Sequence, residues 1–312
     1  MKAAKTEEKK DPRITPEDLK KIEAYRMTEL PKYKCPSVTA DVVAVRPAFG
    51  ELRSDQWREN PKFSLELLFI KRGQWPHEGA WALPGGFTKE AIQETVEGCA
   101  KRELGEETGL EPRHFIHLGV FSERGRDMRG WVISSAYITV HKKGEGVTVR
   151  GGDDAREAKW LRLVEPKMKN GKFVLPFYDL EGTEAEAQGK VRPLFTIRGK
   201  YVENELGGFE VTDVEENPLA FDHGHIVAAA FMRLLSLDLL KLVFYFLPEK
   251  FTLSNYINVY QYLTGNSIEQ VNIPNFRRQL TEKKNPLLEV CEGEFEPEGC
   301  GHATAKLYRR RK

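Results

Sequence analysis

Cysteine is sparse in this 312-residue chain: Cys35, Cys99, Cys291 and Cys300 are scattered, with no Cys-x-x-Cys pair. That scatter argues against a structural zinc site and a disulfide framework, and suits a reducing compartment. Excess charge is missing too. The 48 Lys+Arg and 47 Asp+Glu leave a formal net charge of +1, so no global field draws nucleic acid or an anionic membrane. No apolar run reaches the roughly 18 residues that a membrane span requires. The nearest, Leu234–Leu247, is interrupted by Asp238 and Lys241. Met1–Asp11 is rich in Lys and Glu with no apolar core, so it reads as neither signal peptide nor anchor. The expectation is a cytoplasmic protein with no membrane partner, long enough for two domains.

Against that even background one stretch stands out. Glu103, Glu106 and Glu107 fall at i, i+3 and i+4, which makes them neighbours on a helix, where like charges repel by about a few tenths of a kcal/mol per pair. Oxygen ligands gathered in this way suit a hard divalent cation, and so point to metal-assisted chemistry on phosphates. The helix is expected over about 95–108, with Thr95 as N-cap and a stop at Gly109 and Pro112.

The surrounding elements follow from composition and punctuation. Residues 1–12 read as disordered, and Thr15-Pro16-Glu17-Asp18 opens a helix that runs to about Leu30. Ser37–Arg46 and Ser64–Lys71 read as strands, as do Phe115–Phe121 and Trp131–His141, which flank a charged loop at 122–130. Lys159–Leu163 is expected as a last short strand after a turn at 151–154. Strands, a helix and more strands give an α/β (α+β) sandwich rather than a doubly wound sheet. Residues 166–217, with short β-like pieces at Lys172–Phe177 and Leu194–Val202, read as an elaboration of the first domain plus a linker. From 218 the pattern turns helical, with helices over His225–Leu235, Leu237–Leu247, from Thr252 to Gly265, and after Pro274. A hairpin from Leu287–Cys291 and Thr304–Tyr308 would complete a winged helix-turn-helix. The expected domains are therefore 1–35, 36–217 and 218–312.

Glu94, then Arg102-Glu103-Leu104-x-Glu106-Glu107-x-Gly109-Leu110, resembles the Nudix box, Gly-x5-Glu-x7-Arg-Glu-U-x-Glu-Glu-x-Gly-U, where U is aliphatic. The match is full from Glu94 onward. Upstream, Gly86 and Glu94 stand two residues further apart than the motif allows, so that Ile92 occupies the position counted for glutamate. The resemblance implies an α/β/α Nudix sandwich that binds Mg²⁺ or Mn²⁺ through Glu103, Glu106 and Glu107. Glu94 would be a further acidic contributor, and Arg102 would orient a carboxylate through a bidentate ion pair.

Trp81-Ala82-Leu83-Pro84-Gly85-Gly86, Arg126-Asp127-x-Arg129-Gly130, Phe221-Asp222-His223 and Asn275-Phe276-Arg277-Arg278 resemble one Nudix branch: ADP-ribose pyrophosphatases and the Nudix-related regulators of NAD metabolism. That branch implies an ADP-ribose-like nucleoside diphosphate ligand and a homodimer. Arg72, Trp81, Gly86, Arg126 and Arg129 become candidate substrate-binding residues. Arg126 and Arg129 would clamp phosphates or simply coat a solvated loop; Trp81 would stack on adenine or belong to the core. Asp153, Asp154 and Glu123 are candidate general bases.

The basic residues Arg277, Arg278 and Lys284, with Asn275 beside them, give a candidate DNA-binding helix. The excess is modest, with nine Lys/Arg against six acids over residues 272–312, and a dimerisation module is the competing reading. Two functions stay open at this level: a metal-dependent hydrolase cleaving ADP-ribose to AMP and ribose 5-phosphate, or a transcriptional regulator that senses such a nucleotide and holds operator DNA.

Overall fold

The computed structural model describes residues 15–49, 63–142, 147, 155–179, 192–264, 278, 280–281, 287–295 and 306–311. The expected disorder of residues 1–12 lies outside them. The chain divides into two compact units, residues 1–37 and 38–312. In the first, helix α1 (Pro16–Thr28) begins with a reciprocal capping box, in which Thr15 accepts from the Asp18 amide while the Asp18 carboxylate accepts from the Thr15 amide. Every α1 residue keeps some exposure.

The second unit is built on one large sheet. Its strands are β1 (Ser37–Phe49), β2 (Phe63–Arg72), β3 (Trp81–Ala82), β4 (Gly85–Phe87), β5 (Ile116–Phe121), β6 (Val132–Val140), β7 (Ala155–Leu163), β8 (Lys167–Lys169), β9 (Lys172–Tyr178), β10 (Phe195–Glu203) and β11 (Phe209–Glu216). The order across it is β11-β10-β9-β7-β2-β1-β6-β5, with β3 on β2, β4 on β1 and β8 on β9. Period-2 alternation assigns the faces. Ala40, Val42, Ala44, Leu68 and Ile70 turn to one side, where Cys99, Ala100 and Leu104 of α2 (Val96–Thr108) cover them. Val43, Val45, Leu65, Leu67 and Phe69 turn to the other, against α3 (His223–Leu235) and α5 (Leu253–Thr264). Helices on both faces explain why β2 is buried along most of its length.

The structure bears out the α/β sandwich and revises its extent. Ala155–Leu163 is a full strand between β2 and β9, not a short terminal one. Among the described residues of 166–217, β8 to β11 widen the sheet, and α3 packs on β11. The apolar run Leu237–Leu247 does not form one helix. It yields a single turn, α4 (Leu239–Leu242), then a 3₁₀ turn at Val243–Tyr245, and the Tyr256 hydroxyl donates to the Leu240 carbonyl. β12 (Phe251–Thr252), β14 (Lys306–Arg310) and β13 (Leu288–Phe295) form a second sheet in that order, with Val290 opposite Tyr308 in the expected hairpin. Thr252 both pairs with Leu307 and caps α5 by accepting from the Asn255 amide.

Candidate active site

Helix α2 is fixed at both ends by its own sequence. Thr95 accepts from the Gly98 amide at 3.0 Å, and Gly109 closes the helix at φ 72°, a left-handed conformation that glycine adopts without a Cβ penalty. With Cys99, Ala100, Leu104 and Thr108 buried, the glutamates are left on the other face. The two extra residues between Gly86 and Glu94 are absorbed in a 3₁₀ turn at Glu90–Ile92, followed by a left-handed Gln93. Ile92 is 66% exposed, whereas the Glu94 side chain is 7% exposed and meets α2 in register.

Arg102 is the hub of the site. Its Nε and Nη2 donate to the two Glu94 oxygens at 2.7 and 2.9 Å, its Nη1 to Glu103 at 2.6 Å and Glu106 at 2.9 Å, and its Nη2 to the Phe87 carbonyl at 3.1 Å. These bonds, Glu94's first, raise the Arg102 pKa and hold Glu94 down at about 2. Burial pushes the Glu103 carboxyl up, since charge without solvent is costly. Glu107 instead accepts from the Gly85 amide at 3.0 Å. Among the described residues no three acidic, His or Cys side chains stand together as a ready metal cage, because the Arg102 guanidinium lies between Glu103 and Glu106. The donor set nonetheless fits a hard cation: three carboxylates on one helix turn, one of them desolvated by burial that its bond to Arg102 offsets only in part.

Gly86 is part of this geometry. A Cβ there would stand 2.6 Å from the Glu103 carboxyl carbon, so only glycine lets that carboxylate lie on the strand. Beside it runs a cationic and aromatic wall. The Arg129 guanidinium lies 4.8 Å from the Phe87 ring centroid and 5.4 Å from that of Phe221, and the Arg72 guanidinium lies 4.9 Å from Phe221. Burial alone would raise the Asp127 pKa, but its hydrogen bonds to Arg129 outweigh that and hold it low.

Arg126 is placed differently from the sequence expectation. Its side chain is 4% exposed and gives a bidentate ion pair to Asp222 at 2.9 and 2.6 Å, so it serves the fold rather than facing phosphate. Trp81 is half-buried against the core, with Lys71 Nζ 5.6 Å from its ring centroid. Glu123 sits on an exposed loop, and Asp153 and Asp154 lie outside the described residues. Spacing gave no sign of Asp41, Ser134 or His223, which are buried together: Ser134 donates to Asp41, and His223 Nε2 stands 3.5 Å from it. His223 Nδ1 accepts from the Leu83 amide at 2.8 Å, and burial lowers its pKa. A cavity of about 390 Å³ between β5 and α4, lined partly by Phe115, Ile116, Leu237 and Tyr245, shares no residue with this site.

Known proteins share parts of this chain. The NUDIX domain family matches residues 57–179, and the NrtR DNA-binding winged helix domain matches residues 243–310. The chain carries a Nudix domain followed by an NrtR-type winged helix domain. Over 98 residues it is 46% identical to an ADP-ribose pyrophosphatase of Methanocaldococcus jannaschii, covering 31% of this chain and 55% of that protein. It thus spans about half the length of that relative. It is 24% identical over 247 residues to the ADPR responsive transcriptional repressor NtrR of Acinetobacter baylyi, covering 78% of this chain and 75% of that one. The fold extends over 94% of this chain and 93% of a MutT/nudix family protein from Enterococcus faecalis, at TM-score 0.60 and 23% identity.

In the winged helix domain, Arg278 lies exposed in a helical segment, while Asn275, Arg277 and Lys284 lie outside the described residues. On the hairpin, Arg309 pairs with Glu289, and Arg310 lies over the rings of Phe244 and Tyr245. No helix among the described residues is long and apolar enough to cross a membrane.

Proposed function

We propose that the chain is a Mg²⁺- or Mn²⁺-dependent pyrophosphohydrolase acting on a nucleoside diphosphate derivative, foremost ADP-ribose, which it cleaves to AMP and ribose 5-phosphate. The observation that carries this reading is the Arg102 hub, which holds Glu94, Glu103 and Glu106 around one guanidinium, beside a Glu107 fixed by Gly85. Glu103, Glu106 and Glu107 would hold the cation, taking it in place of the Arg102 Nη1 contact. When bound, such an ion screens the diphosphate and lowers the pKa of an attacking water. Glu94 keeps Arg102 pinned, so that Glu103 and Glu106 are presented in fixed orientation. Arg72 and Arg129 orient the phosphates through the planar guanidinium fork. Water adds to one phosphorus, the bridging P–O bond breaks, and each product keeps one phosphate.

The test is incubation of the full chain with Mg²⁺ and a panel of nucleoside diphosphate compounds, with products separated by chromatography. Glu106→Gln removes a charged ligand at a half-exposed position and should abolish AMP release while the melting curve stays put. Equal turnover in variant and parent would end the assignment.

A second reading is supported by the NrtR-type winged helix domain: a regulator, working as a homodimer, that senses ADP-ribose or a related NAD metabolite and holds operator DNA through Arg278 and its neighbours. Retention of the protein's own upstream DNA in a low-salt gel, relieved by ADP-ribose, is the expected result. An absence of retention at low salt removes that reading and leaves the hydrolase untouched.

A further inference from the structure

The wall beside the carboxylates is not finished by the Nudix stretch. Phe221 lies beyond residue 179, the end of that match, and just before Asp222, the N-cap of α3. Its backbone has φ +54°, a region that a bulky aromatic residue rarely occupies. Such a conformation persists only where the surroundings over-determine it, and here they do. The Ala220 amide donates to the Trp81 carbonyl at 2.9 Å, and Asn217 Nδ2 donates to the Phe221 carbonyl at 2.6 Å. Asp222 is gripped by Arg126, and His223 by the Leu83 amide.

All of this fixes one half-buried ring that two cations share. Arg72 and Arg129 both lie over Phe221, and Arg129 continues onto Phe87, whose carbonyl accepts from Arg102. The ladder Arg72–Phe221–Arg129–Phe87 therefore ends on the residue tied to the carboxylate hub. Asp127 steadies Arg129 through its Nε and Nη2, and its Nη1 makes no hydrogen bond among the described residues. Two guanidiniums that share one aromatic ring are each attracted to it, which offsets their mutual repulsion.

We propose that Phe221 is a positioning residue of the nucleotide site, whose ring spaces Arg72 and Arg129 so that both guanidiniums meet one diphosphate. The residue comes from the start of α3, so a bound diphosphate ties the Nudix site to the first turn of the downstream helices. The proposal rests on the reading that this site takes a nucleoside diphosphate.

Isothermal titration of the full chain with ADP-ribose and with AMP, in EDTA, separates the two claims. For Phe221→Ala the expected result is an ADP-ribose Kd raised about tenfold with the AMP Kd within about twofold, because AMP needs only one guanidinium. Phe221→Tyr, which keeps the ring, should restore the parental ratio. Hydrogen exchange should show ADP-ribose protecting the amides of His223–Ile226 in the parent and not in Phe221→Ala. A parent that binds neither nucleotide overturns the nucleotide reading and this proposal with it. A parent that binds, with Phe221→Ala unchanged or losing both ligands equally, overturns the proposal alone.

Discussion

Gly86→Ala offers a sharp separation of chemistry from stability. Gly86 does not adopt a positive φ, so alanine fits its backbone, and the loss of unfolded-state freedom would if anything help folding. What the new methyl meets is the end of a flexible side chain, with the Glu103 carboxyl carbon 2.6 Å away where ordinary contact begins at 3.4 Å. Glu103 must therefore withdraw by about 1 Å, and a displacement of that size in a catalytic group costs about a hundredfold in rate. Gly85→Ala is the counterpart. There the methyl meets the Ala40 carbonyl of the paired strand and stands 2.5 Å from Asp41 Oδ1. Backbone in a sheet cannot step aside, so overpacking should cost about 1–3 kcal/mol and lower Tm by about 2–4 °C per kcal/mol. Assayed as Mg²⁺-dependent AMP release from ADP-ribose alongside thermal melts, Gly86→Ala should lose kcat and keep Tm. Parental kcat in Gly86→Ala, or a drop in Tm matching that of Gly85→Ala, would refute the role given to Glu103.

Other perturbations test the remaining parts. Arg102 holds the Glu94 pKa at about 2, below its ordinary 4.5, so this group's stabilisation is complete above about pH 4.5 and is withdrawn as pH falls toward about 2. The urea midpoint of Glu94→Gln should accordingly lie below the parent's at pH 6 and approach it at pH 3; a gap that does not narrow contradicts the ion pair's part in stability. Arg278→Ala should weaken binding to every DNA sequence alike and reduce the salt slope by about 0.9. A titration series in KCl with an unchanged slope would remove Arg278 from the phosphate contacts.

Much of the site was readable because its pattern is local. The spacing of Glu103, Glu106 and Glu107, the Thr95 cap and the Gly109 stop all act within one helix, and all stand where the sequence put them. The ion pair of Arg126 with Asp222 was not readable, since its members are 96 residues apart and neither carries a mark of the other. Strand β11 was missed although Phe209, Val211 and Val214 face one way in part. Its many charges resemble a solvated segment until β10 and α3 are seen beside it. The run at Leu237–Leu247 misled for the opposite reason: apolarity on every side fixes no helical face, and tertiary partners broke it into short turns.

Helix α5 is nailed to the central sheet. The Tyr262 hydroxyl donates to the Leu163 carbonyl at 2.6 Å, and its ring meets Phe63 edge-on at 5.1 Å. Leu65, Leu67 and Phe69 share one continuous core with Tyr256, Leu263, Leu288 and Tyr308. The two family segments are therefore not interchangeable cassettes joined by a tether. Severing them would leave a broad greasy face open to water, so neither half is expected to stand alone in solution.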